Sequence, residues 1–234
     1  MAIFSDKDAE PAARAAHFSR DAGQVDIAVG GQTVIPGLNF TDVSDFLRVP
    51  EVLRNPDGSA NVDVGPGAVS ADVPFTNGDF HTGYAVGLAA VATGDTALDL
   101  IASSGPIRSI ATEAQVRVVH AASQVPGEDG KVDVYLGSGA DADPIPELQD
   151  VPYKAISDYI SLPVLLDGNA TPLTLQVLPD GTAPDGNNAA IEVTTTVTPG
   201  DVLTVVARDD DTGVPSFDAT IVDDAQAAET LRNQ

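Results

Sequence analysis

Apolar and polar positions alternate along most of the chain. Leu173, Leu175 and Val177 interleave with Thr174, Gln176 and Leu178, and IEVTTTVT follows at 191–198. A Pro199–Gly200 turn leads into VLTVVA at 202–207, and HTGYAVGLAAVA at 81–92 follows the turn at Asn77–Gly78–Asp79. Such period-two runs, rich in Val, Thr and Ile and broken about every ten residues by Gly, Pro, Asn and Asp, predict antiparallel strands. The helix–strand alternation of a parallel sheet is missing, and the fold expected is all-β.

Three blocks occur twice in the same order. RAAH at 14–17 returns as RVVH at 117–120, VDIAVG at 25–30 as VDVYLG at 132–137, and LNFTDVSDFLRVP at 38–50 as DVPYKAISDYISLP at 150–163. The last pair aligns Phe40 with Tyr153, Val43 with Ile156, Ser44 with Ser157, Asp45 with Asp158, Phe46 with Tyr159 and Pro50 with Pro163. The spacing between blocks differs, which places the insertions in loops. With about seven strands per copy, the pattern predicts two tandem immunoglobulin-like antiparallel β-sandwich domains. The expected divisions are an arm at 1–12, a divergent sandwich at 13–108, a second at 109–222 and a tail at 223–234. The tail, DDAQAAETLRNQ, has an acidic start and Ala-rich helical spacing.

At 234 residues, two domains of about a hundred residues fit, each large enough to fold without disulfide or metal. No cysteine is present, so thiolate chemistry and cysteine-bound metal are excluded. The 35 acidic residues against 11 basic give a net charge of −24. The carboxylates punctuate nearly every turn rather than forming one tail. At low ionic strength such a surface repels itself, whereas at molar salt the screening length falls to about 3 Å. The composition resembles that of proteins from extreme halophiles. No basic patch is available for nucleic acid. No stretch approaches a membrane span, and the N-terminus carries no apolar core of signal-peptide length.

VRVVHAAS at 116–123, KVDVYLG at 131–137 and VPYKAISDYISLP at 151–163 resemble the domain of unknown function 4397 family. The resemblance covers most of 115–207. The first copy looks like a divergent member, with Phe18 and Arg20 beside a shortened loop, Ala28 in place of the strand Tyr, and Arg48 in the third block. The resemblance implies repeated β-sandwich modules of exported, envelope or surface-associated proteins. It implies no activity and transfers no catalytic residue.

The residues suggest little chemistry of their own. His17 and His120 share one repeat position and read as structural imidazoles, while His81 stands alone. No HxH or HExxH spacing supports zinc. Ser44–Asp45 and Ser157–Asp158 read as turn residues, since no GxSxG elbow is present. Asp141, Asp143 and Glu147 in one loop, and Asp209, Asp210 and Asp211 in another, offer hard oxygens. Asp141, Asp143, Asp209 and Asp211 are therefore Ca²⁺ candidates, set against a solvated acidic surface. GPG at 65–67 and GSG at 137–139 read as turns. Asn39 and Asn169 match the N-glycosylation pattern.

These readings lead to an expectation of no enzyme, no catalytic residue and no required cofactor. The function expected is structural or adhesive, on a cell envelope, filament or virion surface of a halophile, through self-association or neighbouring structural proteins. The alternative is a ligand- or glycan-binding surface module, Ca²⁺-assisted.

Overall fold

The computed structural model describes residues 2–3, 9–65, 68–125, 130–167, 169–212 and 216–233. The chain divides into two compact units. The N-terminal unit is Ala2–Arg108 together with Gln226–Gln234, and the C-terminal unit is Ser109–Ala225. Part of the expected N-terminal arm, residue 1 and residues 4–8, lies outside the described residues, as do 66–67 of the GPG turn.

Strands β1 (Ala2–Ile3) and β10 (Arg108–Ser109) form a small sheet of their own. The N-terminal unit then contains β2 (Ala12–His17), β3 (Val25–Val29), β4 (Gln32–Leu38) and β5 (Leu47–Arg48). It continues with β6 (Ser59–Val64), β7 (Val69–Pro74), β8 (Phe80–Val86) and β9 (Asp99–Gly105). Its sheets have the orders β5-β2-β8-β9 and β4-β3-β6-β7.

The C-terminal unit has β11 (Glu113–Ala121), β12 (Val132–Leu136), β13 (Asp143–Pro144) and β14 (Ile160–Pro163). After these come β15 (Thr171–Pro179), β16 (Ile191–Val197), β17 (Val202–Asp209) and β18 (Phe217–Asp223). The orders β14-β11-β17-β18 and β13-β12-β15-β16 reproduce the connectivity of the first unit strand for strand. Helix α1 (Asp224–Arg232) follows β18.

Both units are thus two-sheet β-sandwiches, with eight strands each where about seven were expected. Between the named strands of each sandwich the pairing is antiparallel with one exception per unit: β2 runs parallel to β8, and β11 parallel to β17. The intervening strands carry the chain through the opposite sheet before it returns beside its first strand, and this crossover sets the parallel direction. Within the sandwich architecture, the strand order therefore differs from the seven-strand immunoglobulin arrangement.

Each core lies between its two sheets. In the C-terminal unit Val116, Val118, Val132, Val134, Leu173, Leu175, Val177 and Val205 are buried together, one face of each alternating strand. In the N-terminal unit the cluster includes Ala15, Val25, Ile27, Val29, Ala60, Val62 and Val64. The parallel registers, Arg14 with Thr82 and Arg117 with Thr204, fix equivalent positions. Ala13, Ala15 and Gly83 thus stand where the other unit has Val116, Val118 and Val205. Leu100 leans over Gly83, so close that a Cβ there would lie 3.3 Å from its Cδ1. That side chain fills only part of the lost volume, and a cavity of about 40 Å³ remains among Ala13, Ala15, Gly83 and Ala85.

Candidate functional site

The polar residues that recur in sequence make the same contacts in both units. The guanidinium of Arg14 stacks on Phe46, 4.4 Å from the ring centroid, and that of Arg117 stacks on Tyr159 at 4.7 Å. Arg14 Nε donates to Thr82 Oγ1 at 3.0 Å and Arg117 Nε to Thr204 Oγ1 at 2.7 Å. Ser44 Oγ accepts from Ala15 N and donates to the Asp45 carbonyl; Ser157 Oγ does the same with Val118 N and Asp158. Each hydroxyl holds the irregular run before the edge strand against the first strand of its sandwich, as local Ser bonds commonly do.

His17 and His120 are fully buried. The Nε2 of His17 meets the Gly23 carbonyl at 2.7 Å, and that of His120 meets the Gly130 carbonyl at 2.9 Å. Each carbonyl needs a donor, so Nε2 carries the proton. The rings stand edge-on to Phe40 and Tyr153. Burial lowers the pKa of both below the ordinary histidine value, although Asp42 and Asp209 pull the other way. His81 is also buried and also lowered by burial, and its Nε2 accepts from Thr76 N. These imidazoles are neutral struts between strand and loop.

The aspartates serve mostly as caps on loops. Asp133 is buried and accepts from Asp150 N and Gly181 N, joining two loops. Its counterpart Asp26 is exposed and accepts from Gly37 N. Gly37 and Asp150 share a left-handed backbone, with φ of 68° and 55°, and so do Thr41 and Lys154 at 73° and 69°. Asp224 has the most buried carboxylate among the described residues: its Oδ2 accepts from Tyr159 Oη at 2.6 Å and Thr204 Oγ1 at 2.5 Å, with Arg117 Nη2 at 3.8 Å.

The Ca²⁺ candidates do not converge. Asp209 is buried and occupied by Ser123 and Gln124 amides and the Ser123 hydroxyl, while Asp141, Asp143 and Asp211 are exposed. Among the described residues no group of three or more His, Asp or Glu is placed to hold a metal ion. Asn39 and Asn169 are exposed, and their amides donate to Asp42 and Asp167. No helix among the described residues is long and apolar enough to cross a membrane.

The C-terminal unit also carries an open groove. Strands β16 and β18 pack together along one side of this sandwich, leaving β13 and β14 as the edges of their sheets on the other. Between these edges runs a groove of about 700 Å³ floored by Leu136, Ile145, Ile160 and Leu162. A smaller hollow of about 260 Å³ shares Leu136 and Leu162 and continues it to Thr171. The rim carries Asp143, Glu147 and Asp158, all exposed. The groove follows from an insertion. Twelve residues separate Gly137 from Asp150 where six separate Gly30 from Gly37. The extra residues include Pro144–Ile145–Pro146–Glu147, which shorten the β13 edge to two residues where β4 has seven. Sequence reasoning noted Asp143 and Glu147 only as cation ligands; the unequal spacing and the Pro-x-Pro were the available signals of an altered edge.

Comparison with curated proteins returns no match. A family model, Domain of unknown function (DUF4397), matches residues 11–135. The match spans β2 to β12, so it falls mainly on the copy that reads as divergent rather than on 115–207. With just over half of its length matched, and with its matched residues forming these paired sheets, the chain belongs to the DUF4397 family.

Proposed function

We propose that this chain is a non-enzymatic structural or adhesion protein built of two repeats of one module and displayed on a cell envelope, extracellular filament or virion surface of a halophile. The observation that carries the reading is the use of the recurring polar side chains. Arg14 and Arg117, His17 and His120, and Ser44 and Ser157 are each engaged within their own sandwich, and each pair makes matching contacts. Two copies that keep the same internal bracing, and differ at their edges and surfaces, suit modules whose faces do the work of contact. The net charge of −24 fits a medium in which screening removes self-repulsion.

The test is light scattering with circular dichroism from about 0.1 to 3 M KCl, spanning the range in which screening changes most. A folded, self-associating protein at high salt that loosens at low salt is the expected result. A monomer indifferent to salt sinks both the assembly and the halophile reading. The groove of the C-terminal unit favours a second reading, a ligand- or glycan-binding surface module. Calorimetry with envelope glycans, with and without Ca²⁺, tests it, and silence in every titration removes it.

A further inference from the structure

The geometry points to the groove between β13 and β14 as a docking site for an extended polypeptide segment that carries both apolar and basic side chains. This goes beyond the self-assembly reading and survives its failure, because the groove belongs to one unit and is complete in a monomer.

Three observations choose the occupant. First, the chemistry of the lining is mixed in one particular way. The floor is apolar, while the rim offers Asp143, Glu147 and Asp158 and no basic residue. None of the three carboxylates carries an ion pair among the described residues. Lys and Arg bury their stems along apolar surface while their heads reach carboxylates, so a basic segment satisfies floor and rim together. A second copy of this chain, with 35 acidic against 11 basic residues, brings mainly like charge to the rim.

Second, the two edges are unequal as templates. Pro144 and Pro146 deprive the β13 edge of main-chain donors. Among the described residues strand β14 is paired on one side only, with β11; its N–H groups alternate between β11 and the open side, and none is lost to proline from Ile160 to Leu162 before Pro163 ends the strand. An incoming strand therefore adds to β14 and leaves its alternate side chains over the groove, the arrangement of β-strand addition. An edge this short supplies few main-chain bonds, and the side-chain contacts must contribute the rest.

Third, the apolar surface continues past the strand. Leu165 and Leu166 are 48% and 67% exposed. The Leu165 amide bonds Thr171 Oγ1, on a residue that lines the far end of the groove. With Val52 of the other unit, these are the large apolar side chains the described surface exposes, and large exposed apolar groups beside a concave site mark interaction surfaces.

The probe is a short synthetic peptide of alternating valine and lysine, with a valine–glutamate peptide and an N-methylated valine–lysine peptide as comparisons. Binding is measured by calorimetry on the full chain, at a salt concentration where circular dichroism shows it folded. The expected result is saturable one-to-one binding of the valine–lysine peptide, weaker binding of the N-methylated form, and none of the glutamate form. The double variant Glu147→Lys, Asp158→Lys weakens binding about tenfold or more through like-charge contact at the rim. Glu51→Lys with Asp95→Lys changes the net charge equally in the other unit and leaves binding unchanged. Equal weakening by both double variants overturns the proposal, since it means bulk attraction to an acidic chain. Absence of saturable binding overturns it too. So does a rim variant that alters self-association by light scattering but not peptide binding, which assigns the groove to a second copy.

Discussion

The two units share a connectivity and a set of internal braces, yet they differ in how their cores are filled and how one edge is finished. Arginine on an aromatic ring and on a threonine, histidine on a glycine carbonyl, and serine across two strands are present in both. Around this common bracing the N-terminal unit replaces three core valines with Ala13, Ala15 and Gly83 and retains a cavity of about 40 Å³. The C-terminal unit fills its core but opens its β13 edge through an insertion. The comparison teaches that the positions tying strands to irregular segments are held more tightly than the volume between the sheets. A missing methyl costs a fraction of a core, whereas an unbonded buried donor or carbonyl carries its full desolvation penalty.

One brace also changes sides. Asp21, on the loop after β2, accepts from the amides of Ala89 and Ala90 after β8. In the other unit the carboxylate is Asp209, at the end of β17, and the amides are those of Ser123 and Gln124 after β11. The same two loops are clamped, with donor and acceptor exchanged. Partial burial works against the Asp21 carboxylate, but the Ala90 and Ala89 amides outweigh it and hold its pKa below the usual value.

The sharpest break in the symmetry is Asp224. Its removal takes the shared acceptor from Tyr159 Oη and Thr204 Oγ1 and the carboxylate from beside the stacked Arg117. Asp224→Ala therefore destabilises the chain by about 3–5 kcal/mol, the range for breaking a buried charged network, read from urea unfolding. A loss below ~1 kcal/mol means the carboxylate is incidental to the Arg117 brace. Next is the Asp133 and Asp26 pair. Asp133→Ala costs about 2 kcal/mol because the buried carboxylate that ties the Asp150 and Gly181 amides together is lost, whereas exposed Asp26→Ala costs about 0.5 kcal/mol. Equal losses show that burial does not set the difference.

The cavity gives effects of opposite sign in the two units. At about 24 cal/mol per Å³, filling the void with Ala15→Val stabilises by up to ~1 kcal/mol, while Val118→Ala costs about 2 kcal/mol. Thermal melts that show both substitutions destabilising reveal a void whose shape does not admit the added methyls.

The smallest effect near neutrality comes from the histidines. Burial depresses the pKa of His17, His81 and His120 in the folded chain, so the unfolded chain binds more protons as the pH falls. Their contribution is complete above the unfolded value of about 6.5 and is lost as the pH drops through the folded values. His120→Gln should flatten the acid side of the stability profile more than His81→Gln. His120 is the more deeply buried ring, and its Nδ1 finds no partner among the described residues. An unchanged slope in both variants assigns the acid loss to carboxylates instead.

Much of this was legible in the chain. Strands such as β15, β16 and β17 announce themselves by alternation, because one face of a sandwich sheet must be apolar and the other need not be. The three repeated blocks locate the arginine, histidine and serine braces. Their structural roles were readable because short polar side chains beside apolar runs bond to nearby backbone. The parallel pairs β2–β8 and β11–β17 were not legible, since alternation carries no information about strand direction. Thr82 and Thr204 look like any strand threonine until the register puts them under Arg14 and Arg117. Asp224, in a tail that reads as an acidic helix start, gave no sign of burial.

The sequence by itself determined the all-β class, the recurring polar frame and the acidic surface, because periodicity, short-range bonding and charge are properties of local pattern. The tertiary structure alone decided which strands neighbour one another, which carboxylates are buried, and that six additional residues before Asp150 open a groove instead of lengthening a loop. These depend on contacts between segments far apart in the chain, and no local pattern encodes the packing that brings them together.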